Sequence, residues 1–150
     1  MIGVGNPWRG DDAAGLAVAR RLRGTLPPEV QVLEREGEPT GLVDAWEAAK
    51  AVWLVDAVVS GAAPGTVHRL DASAQQLPAE MISASTHHLG LAEAVELARA
   101  LGRLPVRVVF YGIEAATVDA GDGLSPAVEA AVDRVAVALR EEVGRYTSAS

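Results

Sequence analysis

Two adjacent carboxylates, Asp11 and Asp12, follow the segment Gly3-Val-Gly-Asn-Pro-Trp-Arg-Gly10, where the first strand of an α/β chain would hand over to its first helix. Ligand sites of such folds lie outside the carboxyl ends of the strands, so the pair stands where a ligand would bind. A further acid, Asp56, closes the most apolar run of the chain, Ala51-Val-Trp-Leu-Val55. An acid there costs desolvation that a structural role must offset with several hydrogen bonds. His87, in Ser85-Thr-His-His-Leu-Gly90, immediately precedes another helical pattern. Two carboxylates and an imidazole converging from separate loops make an acid/base set or a seat for a borderline divalent cation such as Zn²⁺ or Ni²⁺, with positions left open for water or substrate.

Each of these residues also has a plainer role. Asp is a favoured helix N-cap and suits the positive end of the helix dipole, so one of Asp11 and Asp12 serves that end. The other is then available, and neighbouring carboxylates repel unless a cation or proton relieves them. His87 and His88 also fit a surface pair at a helix start; adjacent side chains diverge, so at most one points into a crevice. His68 falls in a strand pattern, is expected to be exposed and is assigned no role. Gly3-Val-Gly5 suggests a dinucleotide fingerprint, with Glu34 or Glu36 ending strand two. However, Trp8 stands where the third glycine should be, and the acidic pair would repel a pyrophosphate. There is no H-E-x-x-H, G-x-S-x-G or Walker loop, and the absence of cysteine removes thiol nucleophiles and thiolate metal sites.

The elements that must position these residues alternate between helical and strand patterns, which predicts a three-layer α/β/α domain with a mostly parallel sheet. Helix one runs from about Asp12 to Arg23, strand two covers Val30–Leu33, and a helix opened by Glu36-Gly-Glu-Pro-Thr-Gly41 runs to about Lys50. Strand three spans Ala51 to Val58, its continuous apolar character suiting a strand covered on both faces. Only a short turn around Ser60-Gly-Ala-Ala-Pro-Gly65 separates it from Thr66–Leu70, too little for a parallel crossover, so strand four is expected to run antiparallel. Asp71 to Thr86 reads as a long polar crossing loop, His88 to Leu101 as a helix and Val106 to Ile113 as strand five. A second long loop covers Ala115 to Leu124, and Ser125-Pro126 opens a final helix to about Val143.

With 150 residues, 49% of them apolar, the chain suits one domain with one contiguous core, and the tail after about residue 145 is expected to be disordered. A net charge of −7 and only 13 Lys and Arg argue against nucleic acid as a partner. Neither a membrane span nor a secretory leader is visible, so a soluble cytoplasmic protein is expected. Only Met1-Ile2 precede Gly3, which makes strand one a stub or places the natural start upstream.

Gly3-Val-Gly-Asn6, Gly10-Asp-Asp-Ala-Ala-Gly15, Val55-Asp-Ala57, Ser85-Thr-His87 with Leu89-Gly-Leu91, and Gly123-Leu-Ser-Pro126 together resemble the [NiFe]-hydrogenase maturation endopeptidases, in order over nearly the whole chain. The resemblance implies a mixed five-stranded sheet of order 2-1-3-5-4 with strand four antiparallel, the phosphorylase/hydrolase-like arrangement. It implies removal of a C-terminal extension from the hydrogenase large-subunit precursor once nickel has been inserted. It places the family's metal-contacting acids on Asp12 and Asp56 and its histidine on His87, with Asp12 standing where many members have Glu. Glu36–Gly41 replaces the family's Asp-Gly-Gly-Thr-x-Gly loop, and substrate contact there falls to Glu38 and Gly41.

On this reading the enzyme is a monomer that holds no permanent metal. Nickel carried by the substrate completes the site, although zinc or another divalent cation could occupy it, and a carboxylate or a metal-bound water delivers hydroxide to the scissile bond. Two other readings remain: a divalent-metal-binding or metallochaperone module of the same fold without peptidase activity, and a nucleotide-binding domain or cofactor-independent hydrolase.

Overall fold

The apolar run that predicts a doubly covered strand forms the spine of the sheet. The computed structural model describes residues 1–36, 39–78, 82–83, 91–116 and 123–149. Strand β3 (Ala51–Val59) lies between β1 (Ile2–Val4) and β6 (Arg107–Glu114), parallel to both. Strand β2 (Leu33–Arg35) flanks β1 in parallel, and β4 (Val67–Asp71) flanks β6 in antiparallel register. The sheet order is therefore β2-β1-β3-β6-β4, with the two-residue β5 (Ile82–Ser83) pairing antiparallel to the end of β3. Leaving β5 aside, this is the expected order 2-1-3-5-4, including the antiparallel strand that the short turn demanded.

Alternation along β3 divides the core. Trp53, Val55 and Ala57 face one layer, while Val52, Leu54 and Val58 face the other. The first layer is α1 (Ala14–Leu22) with α4 (Pro126–Ala149), which bury Val18, Ala19 and Leu22 against Val128, Val132, Val135 and Leu139. The second is α2 (Pro39–Trp46) with α3 (Leu91–Ala100), packed through Leu42, Val43, Trp46, Leu91, Val95 and Ala98. Apolar positions three and four apart put these residues on one helix face, and each fully buried aliphatic side chain contributes roughly 1.5–3 kcal/mol.

Several local expectations need correction. The tail is not disordered among the described residues: α4 continues to Ala149, and Tyr146 meets Trp53 edge-on with ring centroids 5.3 Å apart. That aromatic contact gives the last turns something to pack on. Strand two falls at Leu33–Arg35 rather than Val30–Leu33, because its register is set by Ile2 pairing with Leu33. The helix after it stops at Trp46, well short of Lys50. Asp12 belongs to a 3₁₀ turn, Gly10–Ala13, ahead of α1 rather than to α1 itself.

Candidate active site at the carboxyl ends of the strands

The 3₁₀ turn that carries Asp11 and Asp12 is pressed onto the sheet by two glycines. A Cβ at Gly5 would lie 2.0 Å from the Asp12 carbonyl oxygen, and one at Gly15 would lie 2.3 Å from the Val4 oxygen and 2.4 Å from that of Val55. No larger residue fits at either place. The Gly3-Val-Gly5 pattern therefore serves close backbone packing, in accord with the mismatch to a dinucleotide fingerprint. Gly15 straddles β1 and β3 beside the peptide that leads into Asp56, so Asp12, three residues earlier, stands at the mouth of the crevice between the two strands.

Asp56 lies one residue past the last β1–β3 pair, Gly3 with Val55, and it is 1% exposed. It does not end its strand as the sequence suggests, since β3 runs on to Val59. What ends beside it is β1, whose last residue is Val4. Strand alternation puts the Asp56 side chain on the face shared with Leu54 and Val58. Asp12 is fully buried as well. Two carboxylates at one strand-end crevice are an oxygen donor set suited to a divalent cation or to acid/base work.

Asp11 has a different task, and it is not the N-cap expected for one of the pair. Neither the 3₁₀ turn nor α1 has a side-chain cap. The Asp11 carboxylate instead accepts hydrogen bonds from the Ala116 amide at 2.8 Å, the Ser125 amide at 2.7 Å and the Ser125 hydroxyl at 2.9 Å. It thereby ties the turn after β1 to the segment after β6 and to the start of α4. Of two adjacent buried acids, one knits loops together and its neighbour stands at the crevice.

The remaining expected residues lie elsewhere. His87, His88 and Glu38 are outside the described residues. The chain that leads towards His87 is anchored at this end of the sheet, since Ser83 pairs with Val58, and α3 resumes with the buried Leu91. Gly41 sits in the first turn of α2, which starts at the same end because β2 runs parallel to β1. Among the described residues, no three His, Asp or Glu side chains gather as a metal site.

Two polar clusters were not foreseen. Glu114, 1% exposed at the end of β6, accepts from the Ser60 amide and hydroxyl, and its Oε1 lies 3.1 Å from His68 Nε2. His68 is thus half-buried and partnered rather than exposed. On the α4 layer, Glu142 accepts from Trp53 Nε1 at 2.6 Å, Arg69 Nε at 2.8 Å and the Tyr111 hydroxyl at 3.0 Å. Burial alone pushes the Glu142 carboxyl up, but these donors together hold it below its ordinary value. Charged residues in a strand and in the last helix were the available signal, though their spacing gives no hint that they meet.

The family model of the hydrogenase maturation proteases matches residues 16–142. The chain is 33% identical to the hydrogenase 2 maturation protease of Escherichia coli K12, over 94% of this chain and 90% of that protein. Among solved structures, the [NiFe] hydrogenase maturation protease HycI of Thermococcus kodakarensis KOD1 superposes with a TM-score of 0.72 at 28% identity, covering 95% of this chain and 90% of that one. The hydrogenase maturating endopeptidase HybD of Escherichia coli does so with a TM-score of 0.68 at 29% identity, covering 94% and 91%. With two buried acids at the crevice where β1 and β3 part, this chain belongs to the hydrogenase maturation protease family and is a hydrolase acting on peptide bonds.

Proposed function

We propose that the protein removes the C-terminal extension of a nickel-loaded [NiFe]-hydrogenase large-subunit precursor, working as a cytoplasmic monomer. Support for this reading comes from two buried acids, Asp12 and Asp56, carried by a turn and a strand that both pack beside the end of β1, in a chain of this family. Asp12, Asp56 and His87 contact the nickel in the substrate, while Glu38 and Gly41 border the precursor's tail. Carboxylates and an imidazole suit Ni²⁺, and zinc could take the same donors.

The chemistry is that of a metal-dependent peptidase of aspartic type. The crevice holds the tail so that the scissile carbonyl faces a water, and a carboxylate takes the proton as that water attacks. Nickel in the precursor both orients the tail and reports that loading is complete. The turn that presents Asp12 is packed directly on the strands, with Gly5 and Gly15 at the closest approaches. Such fixed placement is worth orders of magnitude in rate when substrate and catalytic groups must align.

Intact-mass measurement of nickel-loaded and nickel-free precursor, each mixed with this protein, tests the reading. Loss of one defined C-terminal peptide from the loaded form alone is expected. Equal cleavage of both forms would remove nickel from the mechanism, and no cleavage of a competent loaded precursor would favour the metal-binding module without peptidase activity.

A further inference from the structure

The large apolar side chains exposed among the described residues are Trp8, Val59, Leu97, Leu101, Val106 and Val137, and Trp8 differs from the rest in kind. It is 78% exposed, whereas Trp46 and Trp53 are 0% and 3% exposed. An indole is the side chain with most to gain from burial, and tryptophan is enriched among the residues that dominate binding energy at protein interfaces. Leu97 and Leu101 lie on and just after α3, Val137 on the outer side of α4, Val106 at the opposite end of the sheet from the acids, and Val59 at the end of β3. Trp8 alone is built into the turn that carries Asp12.

That turn is closed on itself. The Trp8 amide donates to Asn6 Oδ1 at 2.9 Å, and the Arg9 amide to the Asn6 oxygen at 3.3 Å. The Asp12 amide donates to the Arg9 oxygen at 3.0 Å, and the Asn6 amide donates back to the Asp12 oxygen at 3.2 Å. Residues 6–12 are therefore one hydrogen-bonded unit, seated on β1 where Gly5 has no side chain. The backbone positions that carry an exposed indole and a buried carboxylate are thereby held at a fixed separation.

We propose that Trp8 is a substrate-gripping residue: its indole packs on an apolar side chain in the extended precursor segment next to the scissile bond, and its rigid link to Asp12 sets that segment's register. The inference rests on the peptidase reading given above. It adds a contact that selects the substrate by an apolar side chain independently of nickel. Trp8 makes no contact with reacting atoms, so its loss should weaken binding and leave the chemical step alone.

The test compares wild type, Trp8→Ala, Trp8→Phe and a control, Val106→Ala, on nickel-loaded precursor. Trp8→Ala should raise KM on the order of ten-fold or more with kcat and melting temperature unchanged. Trp8→Phe should recover part of the loss, and Val106→Ala should match wild type. Hydroxyl-radical footprinting of the wild-type protein should show Trp8 protected when precursor is added and Val106 unaffected. An unchanged KM for Trp8→Ala, beside an active wild type, would overturn the grip while leaving the peptidase reading intact. An inactive wild type would sink that reading and the grip with it. Protection that grows with the protein's own concentration, without precursor, would assign Trp8 to contact between copies and overturn the proposal.

Discussion

The two ends of the sheet present different groups. At the end where β1 and β2 begin, a cleft of about 510 Å³ opens between Met1, Val30, Trp46, Ala51, Trp53 and Tyr146. Its walls mix apolar side chains with the Met1 amine and loop backbone, and the charged groups at its rim, Glu29 and Lys50, come from loops. At the other end Asp56 lies in β3 just past its last pairing with β1, Glu114 ends β6, and the Asp11-Asp12 turn is packed down so tightly that two glycines are required. The acid of the first end, Glu29, is an exposed loop residue beside the part-buried Met1 amine, whereas Asp56 and Glu114 at the second are buried and fixed on strands, at the end where ligand sites of such folds lie. Close packing and buried carboxylates distinguish that end.

The sharpest way to break this comparison is to loosen the crowded end. Gly15→Ala drives a methyl group into the carbonyl oxygens of Val4 and Val55, and should cost roughly 3 kcal/mol or more, the upper range of single-residue effects. Chemical denaturation should register that loss, and processing should fall even where the variant remains folded, because the Asp12 turn can no longer seat.

Next in size is the other buried carboxylate cluster, which holds structure rather than substrate. Glu142→Gln leaves Arg69 without its charge partner and weakens the bonds from Trp53 and Tyr111, at a cost of about 1–3 kcal/mol in melting or denaturant experiments. Processing of the variant at 25 °C should stay near wild type. The pH dependence has a definite sign. Since the folded carboxyl sits below its ordinary value of 4.5, its stabilisation is fully present above that value and is lost as pH falls through the lower, folded one. Wild type should therefore lose more stability on acidification than Glu142→Gln. Parallel acid titrations of the two proteins would contradict the assignment.

Smallest should be the effect of changing the roomy cleft. Ala45→Val adds two methyl groups to its wall and should leave kcat/KM within about two-fold, as expected for a change away from the chemistry. A large loss would move the site to that end of the sheet.

How far the sequence foretells all this depends on how local each signal is. Strand order and the antiparallel fourth strand follow from alternation, a turn too short for a crossover, and family motifs in register. Asp12 stands out because it follows the first strand pattern, and Asp56 because an acid follows the most apolar run of the chain. The misassigned residues have distant partners. Asp11 reads as an N-cap because its partners, Ala116 and Ser125, lie 105 and 114 residues away. The partners of Glu142 include Trp53, 89 residues distant. His68 reads as exposed because Glu114 reaches it only once β4 and β6 have paired. Tyr146, the one aromatic residue in a polar tail, was the available clue that α4 would continue, and Trp53 supplies its reason.

The central claim is that Asp56 and Asp12 carry the activity from the crevice between β1 and β3, and Asp56→Asn tests it most directly. The substitution preserves shape and removes only the charge. Processing of nickel-loaded precursor, followed by intact mass, should drop at least about a hundred-fold, since even residues that merely support metal ligands cost ten- to a hundred-fold when changed. Melting should remain cooperative. Processing at the wild-type rate by a folded Asp56→Asn would contradict the account and place the chemistry elsewhere on the molecule.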